Sequence, residues 1–420
     1  MTRGKLPLGI QNFEELRKGG YLYADKTDMV WQIANGDKYN FLSRPRRFGK
    51  SLLVSTLQCY FEGKKELFEG LKIMELEKDW IKRPVIHFSM NLGGSDAESL
   101  YHYLDDTLTK YEEIYGKRAT EATLSNRFTG IIERAYQQSG EQVAVLVDEY
   151  DAPLQHSYLT DRHEKCRNLY RDFFTSLKDY GYCIKCVFLT GITKFTQISL
   201  FSVLNTLSNI SFYNCYATIC GLTKEEILEN LKDEIQVLAV QKKWDIDQTM
   251  HELKDMYDGY HFSESLQGVY NPFSVISALK ERRLRPYWIA SGATEMLPKI
   301  LTNFEKDVET LDGSLIDMDY LETADISKDN PKLVLYQLGF LTIKDVIGEA
   351  YRLGFPNREV KKALLEMVVP NMLNANKEET EIASRHYADA YAASKKKLIS
   401  LALVFDKENR GLIDWQEADK

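Results

Sequence analysis

The sequence predicts an α/β fold: a parallel P-loop NTPase-type sheet with a helical lid, a winged-helix-like element and a small C-terminal α+β remnant. Three observations predict it. Ser43 to Ser51 reads S-R-P-R-R-F-G-K-S and ends in Gly49-Lys50-Ser51, the last three positions of a phosphate-binding P-loop. Val143 to Val147 is a continuous apolar run, as in a strand covered on both faces of a parallel sheet, and Asp148 and Glu149 stand at its C-terminal end. Strand-like and helix-like segments alternate around these two motifs, the pattern of parallel α/β units.

An entry module runs to about Asp37, with Phe13, Leu16, Tyr21 and Tyr23 followed by Asp25-Lys26-Thr27 and a helix holding Met29, Val30 and Ile33. Tyr39 to Leu42 is short and apolar, as a buried strand is, and Leu53, Leu57 and Phe61 then fall at helical spacing. Strand, loop, helix is the context a P-loop requires. Gly49 lets the backbone approach a phosphate, Lys50 places a charge on the β- and γ-phosphates, and the Ser51 hydroxyl can ligate Mg²⁺. The free N–H groups of the helix start face the anion, and Phe48 and Leu52 flank the same binding segment. Where the usual motif has its first glycine this chain has Arg44, and Pro45 then fixes its own φ. In exchange the loop carries three guanidinium groups, Arg44, Arg46 and Arg47, close to where a triphosphate would lie.

Pro84 to Met90 reads as a second strand, Leu92 to Ser95 as a turn, and residues 96–139 as helical. The acidic strand follows. An aspartate at its tip, Asp148, can hold the Mg²⁺ of a P-loop site, Glu149 can orient or deprotonate a water, and Asp151 adds a third carboxylate. A helix from about Arg162 to Asp179 leads to the strand Ile184–Leu189, which ends in Thr190-Gly191-Ile192-Thr193-Lys194. Thr190, Thr193 and Lys194 form either a sensor beside a γ-phosphate or an ordinary polar turn. Thr223 to Glu226 is a capping box that opens a helical region reaching about Asn303, the lid. Within it Lys280, Arg282, Arg283 and Arg285 form a basic run, either a solvated helix end or a patch for nucleic acid or a partner.

Leu333 to Ile343 and Ala350 to Pro356 read as a helix followed by two strands around the turn at Gly348, a winged-helix-like arrangement. Asn357 starts another helix, Asn374 to Thr380 is a polar junction, and Lys397–Phe405 and Leu412–Trp415 read as strands. The expected division is 1–220 for the P-loop core, 221–303 for the lid, 304–373 for the winged-helix-like region and 374–420 for the remnant.

A chain of 420 residues exceeds one compact core, in keeping with that division. Net charge is 54 − 62 = −8, which argues against wholesale attraction to nucleic acid and leaves only local patches. No apolar run approaches the ~20 residues of a membrane span and no secretory signal is evident, so a cytoplasmic location is expected. Cys183-Ile-Lys-Cys186 lies in a strand-like segment, which separates the two thiols and argues for buried, reduced cysteines over a zinc site. His163 and Cys166 have no second pair of ligands nearby in sequence.

These segments together resemble a bacterial AAA-ATPase-like family whose members often carry a C-terminal PD-(D/E)XK nuclease-like domain. The matching stretches are Leu6-Pro-Leu-Gly-Ile10 with Tyr23 to Thr27, Arg44 to Ser51, Val147 to Pro153 and Thr190 to Lys194. They continue through Tyr257 to Tyr260, Asn271-Pro-Phe273 and Tyr351 to Val360. The resemblance implies that Arg44 belongs to the family's own version of the loop, and that Asp25 and Lys26 neighbour a nucleotide. The departure lies beyond residue 373. A PD-(D/E)XK centre needs an aspartate and an E-x-K on adjacent strands, and between Asn374 and Ser384 there is no room for them. Glu359-Val-Lys361 belongs to the preceding helix and is set aside as a decoy.

The expected activity is therefore Mg²⁺-dependent ATP hydrolysis. Lys50 and the loop amides would hold the phosphates, Ser51 and Asp148 the Mg²⁺, Glu149 would activate water, and Arg46 or Arg47 would neutralise transition-state charge. The alternative is a nucleotide-gated binding module with little turnover, holding DNA or protein through residues 280–360. No nuclease activity is expected, and an oligomer would suit an AAA-type protein.

Overall fold

The computed structural model describes residues 4–158, 160–194, 207–288, 311–324, 331–364, 401–405 and 412–417. The chain opens with α1 (Phe13–Lys18) and α2 (Thr27–Asn35), passes through β1 (Tyr39–Ser43) into α3 (Lys50–Phe61), and after the single turn α4 (Ile73–Leu76) enters β2 (Val85–Ser89). Helices α5 (Ala97–Tyr115) and α6 (Leu124–Ser139) lead to β3 (Val143–Asp148). Then α7 (Ala152–Ser157) and α8 (His163–Phe174) lead to β4 (Ile184–Gly191), and β5 (Ser208–Asn209) completes the sheet. The helical stretch expected over 96–139 is two helices. Gly116, at φ 86°, ends the first, and the Thr123 side chain accepts from Asn126 N–H to start the second.

All pairings in this sheet are parallel and the order is β2-β3-β4-β1-β5. Every residue of β3 is buried, as its unbroken apolar run requires. Phe88 of β2 meets Phe128 of α6 and Phe173 of α8 edge-on, while Phe128 and Phe173 stack with centroids 4.8 Å apart. Because the strands are parallel, the C-terminal ends of β1, β3 and β4 emerge along one sheet edge, with β4 between the other two. The basic loop after β1 and the acidic tip of β3, far apart in sequence, become neighbours there.

Helices α9 (Lys224–Asn230), α10 (Lys232–Lys242), α11 (Ile246–Tyr257) and α12 (Pro272–Glu281) follow. The capping box forms as expected: Thr223 and Glu226 each accept the other's backbone N–H. Ile227, Leu238, Leu253, Tyr257, Val275 and Leu279 give these helices a core of their own, against which Leu6 and Leu22 of the entry module pack. Next come β6 (Leu315–Asp317), α13 (Met318–Thr323), α14 (Pro331–Leu338), β7 (Thr342–Ile347) and β8 (Ala350–Gly354). The expected helix and hairpin are present, and β6 joins as a third antiparallel strand in the order β6-β8-β7.

The chain divides into two compact units, Met1–Leu364 and Leu365–Lys420. Of the second, β9 (Leu401–Phe405) and β10 (Leu412–Glu417) are described, as an antiparallel pair. The junction expected at 374–380 and residues 289–303 of the expected lid lie outside the described residues. Cys59, Cys166, Cys183, Cys186 and Cys220 are buried and free, and Cys215 is exposed and free. The described residues contain no group of three or more His, Cys, Asp or Glu arranged to hold a metal, and no helix long and apolar enough to cross a membrane.

Glu359, of the E-x-K set aside above, is fully buried. It accepts from Tyr287 N–H (2.5 Å), Trp288 N–H (2.9 Å) and the Ser274 hydroxyl (3.0 Å), and so ties the chain after the lid to α12. Burial raises its pKa from 4.5 to about 7, against the pull of the two N–H donors. On unfolding the group returns to the ordinary value and releases its proton. Its stabilising effect is therefore complete below about pH 4.5 and is lost as pH rises through about 7. Between pH 5 and pH 8 the wild type is expected to lose on the order of 2–3 kcal/mol that Glu359→Gln does not lose. Urea unfolding across that range measures it, and parallel pH profiles for the two proteins would show the carboxyl to be ordinary.

Candidate functional site

The loop between β1 and α3 curls around a single ammonium. Gly49 stands at φ 96°, a left-handed conformation open to glycine at little cost, and turns the chain into α3. Lys50 is buried, and its Nζ donates to the carbonyls of Arg44 (2.9 Å) and Pro45 (3.0 Å) at the start of the same loop. The lysine thus ties the loop's two ends together, and its third N–H remains for an anion. Burial lowers the pKa of Lys50, while the charges of Glu149, Asp148 and Asp151 oppose that shift. Those opposing charges place the acidic tip of β3 within electrostatic reach of the loop lysine.

The acidic tip is held rigidly. Asp151 Oδ2 accepts from Ile192 N–H (3.0 Å), Thr193 N–H (2.6 Å) and the Thr193 hydroxyl (2.6 Å), which laces the end of β3 to the end of β4. A side chain at Gly191 would collide with Asp151 and Tyr150, so this approach requires glycine. Tyr170 donates to the Tyr150 carbonyl and Tyr150 to the Thr193 carbonyl, which completes the brace. Glu149 sits inside it at φ 50°. Arg47, across the site, stands at φ 69°. Two left-handed non-glycine residues on one cavity wall store strain of about 1–3 kcal/mol each, a pattern that marks functional sites. Burial and the neighbouring Asp148 raise the pKa of Glu149, while Lys50 and Arg46 oppose the shift. That direction moves a carboxylate toward the range of a general base. Asp148 is buried, and its Oδ1 has no hydrogen-bond partner. A buried, unpartnered carboxylate oxygen is a fitting donor for a hard divalent cation.

Arg46, Arg47, Lys50, Ser51, Glu149 and Asp151 face one cavity of about 490 Å³, and Asp148 is not among its lining residues. Its lining combines charged and polar groups, among them Arg46, Lys50, Ser51 and Glu149, with apolar side chains such as Leu8, Ile10, Leu22, Leu222, Phe273 and Ile276. Charged groups that favour phosphates and apolar ones that favour a flat ring system are both needed in a nucleotide site.

A family described as "Predicted AAA-ATPase", AAA-ATPase-like, matches residues 7–201. The "Uncharacterized protein in vnfD 5'region" of Azotobacter chroococcum mcd 1 is 35% identical over 377 residues, 88% of this chain and 70% of that protein. This chain belongs to the AAA-ATPase-like family. A solved structure described as "Structure of Drosophila ORC bound to AT-rich DNA and Cdc6" covers 84% of the chain and 92% of its own, at 10% identity and a TM-score of 0.24. A likeness at that level carries no argument about fold or partner.

Several of the residues singled out in the sequence of this AAA-ATPase-like chain share the cavity wall. Lys26, Arg46, Arg47, Phe48, Gly49, Lys50, Ser51, Leu52 and Glu149 all line the cavity. Lys26 is ion-paired with Glu226 of the lid at 2.5 Å, and the Phe48 ring is buried edge-on against Tyr260 and Phe262. Four others are corrected. The Arg44 guanidinium turns away from the cavity: it donates to the carbonyls of Ser43 and Ser211 (both 2.8 Å) and Tyr216 (3.0 Å) and lies 4.2 Å over the Phe262 ring. Asp25 is occupied as a connector, accepting from Thr27 N–H at the start of α2 and from Lys72 N–H before α4. β4 runs to Gly191, beyond the expected end at Leu189, so Thr190 is a buried strand residue whose hydroxyl donates to Leu42 O at 2.9 Å. Lys194 reaches away, its Nζ to the Glu322 carbonyl (2.7 Å) and its N–H to Gln337. In each case the charge or hydroxyl reads as functional in sequence and is consumed by backbone groups from elsewhere in the fold. Asp151, expected as a third acid, acts as the brace described above.

The basic run is weaker than its composition. Arg282 pairs with Glu234 and Arg285 with Glu281. Sequence reasoning missed the apolar lining of the cavity. Leu8, Ile10 and Phe273 lie in stretches singled out for resemblance alone, and Leu222 and Ile276 are ordinary turn or helix residues until the lid folds back.

Proposed function

We propose that this AAA-ATPase-like chain binds ATP with Mg²⁺ and hydrolyses it. The carrying observation is the shared cavity. Lys50, Ser51 and Glu149 line one space, and the charge of the buried, unpartnered Asp148 acts on Lys50. Lys50 and the N–H groups that open α3 would hold the phosphates. Ser51 and Asp148 would hold the metal, which supplies charge neutralisation on the phosphate oxygens when bound. Glu149, raised in pKa and held by the Asp151 brace, would take the proton of the attacking water. Arg46, which lines the same cavity, would neutralise developing negative charge.

Coupling to a partner has a physical route. Trp288 donates from Nε1 to the Arg46 carbonyl at 3.2 Å, and Gly339 packs so tightly on Pro45 that a side chain there would clash. Lys194 and Asn209 both hold the Glu322 carbonyl. A shift of the phosphate loop would be felt at once by residues 311–364, and this supports a conformational output acting on nucleic acid or protein. Glu149→Gln tests the chemical role. ATP affinity should stay within a few-fold while phosphate release falls by about 10²–10⁴. Unchanged phosphate release would remove Glu149 from the chemistry.

A further inference from the structure

Three aromatic rings of the cavity wall differ in what they can offer a ligand. Tyr23 is engaged edge-on by Phe13 (5.3 Å), and Phe48 is engaged by Tyr260 (4.7 Å) and Phe262 (5.6 Å). Phe273 is half-buried, and the Arg47 guanidinium lies over its ring at 4.9 Å from the centroid. The ring is fixed from behind. Asn271 caps α12 through Ser274 N–H, Pro272 sets its first turn, and Phe273 packs against the lid core. The guanidinium is held over it by a strained backbone, with Arg47 at φ 69° in the phosphate loop itself. A planar cation on an aromatic face occupies the position that a stacked nucleobase would take, because both are flat and both bind the same π surface. Ile276, one helical turn further along α12, and Leu222 extend an apolar wall beside the ring.

We propose that Phe273 is the stacking face for the nucleobase, and that the base takes it over from Arg47. This rests on the nucleotide reading above and adds a consequence to it. Base and phosphates are then not recognised independently. A base on Phe273 releases the Arg47 guanidinium from the lid, and Arg47, on the phosphate loop, then becomes available to the phosphates. The lid helix α12, which carries Phe273, senses the base directly, and the loop carrying Arg47 senses it through the exchange. An inorganic triphosphate would engage the phosphate loop and leave the exchange unmade.

The test compares ATP with inorganic triphosphate, each with Mg²⁺, by calorimetric titration of the full chain as wild type, Phe273→Leu and Phe273→Trp. Phe273→Leu keeps an apolar side chain on the lid core and removes the π face. It should weaken ATP about tenfold or more while triphosphate affinity stays within twofold, and Phe273→Trp should restore ATP affinity. Circular dichroism melts of the three proteins establish that the lid is folded in each. Equal losses for ATP and triphosphate, or no loss for either, would overturn the stacking assignment while leaving the phosphate site intact. If the wild type bound neither ligand, the nucleotide reading itself would fall, and this inference with it.

Discussion

Lys50→Ala is expected to weaken ATP binding by 100-fold or more. A hydrogen bond to a charged group contributes about 1.5–3 kcal/mol, and the one Lys50 N–H not taken by the loop carbonyls makes such a bond to phosphate, with the ammonium's charge adding to it. The structure adds a second reason. Lys50 also donates to the carbonyls of Arg44 and Pro45, so its removal loosens the loop that presents the amide donors. Lys50→Met keeps most of the buried stem but makes neither donation, so it should lose ATP binding as Lys50→Ala does while filling the space the alanine leaves. Calorimetric titration reads the affinity directly. An affinity for ATP equal to wild type in both variants would exclude the loop as a phosphate site.

Arg44→Met is expected to be the most destabilising substitution in the loop, on the order of 3–5 kcal/mol. The guanidinium is buried, and its three donations leave the Ser211 and Tyr216 carbonyls satisfied within the core. Removing the donor leaves buried acceptors unpaired at about 1–3 kcal/mol each, and the contact with the Phe262 ring is lost as well. Its neighbour Arg46 is only half-buried, and Arg46→Met should cost less than about 1 kcal/mol. Urea unfolding of the two variants side by side makes the comparison. If Arg44→Met unfolds no earlier than Arg46→Met, the guanidinium is not a structural strut and the original reading of it as a phosphate ligand returns.

Much of the site was legible because its signals are local. Gly49-Lys50-Ser51 needs a strand before it and a helix after it, and both are written in apolar spacing. The β3 run is unmistakable because burial on both faces forbids polar residues along it. The misreadings share one cause. Arg44, Asp25, Thr190 and Lys194 carry groups that suit a ligand as well as they suit a buried carbonyl or amide, and only long-range packing decides which they meet. For Arg44 the deciding partners lie at 211 and 216, and for Lys194 at 322 and 337. The left-handed backbones of Arg47 and Glu149 had no signal in sequence, since neither is glycine or asparagine.

The sequence by itself determined the parallel α/β core, the phosphate loop, the acidic strand tip and the lid's capping box, because each follows from periodicity or turn chemistry within a dozen residues. The tertiary structure alone decided strand order, which arginine faces the cavity, which carboxylate braces the site, and where an apolar wall closes over it. Those outcomes depend on contacts between segments more than a hundred residues apart, such as Trp288 with Arg46 and Lys26 with Glu226. No local pattern encodes them, because a side chain's partner is fixed only once the sheet edge and the lid are assembled around it.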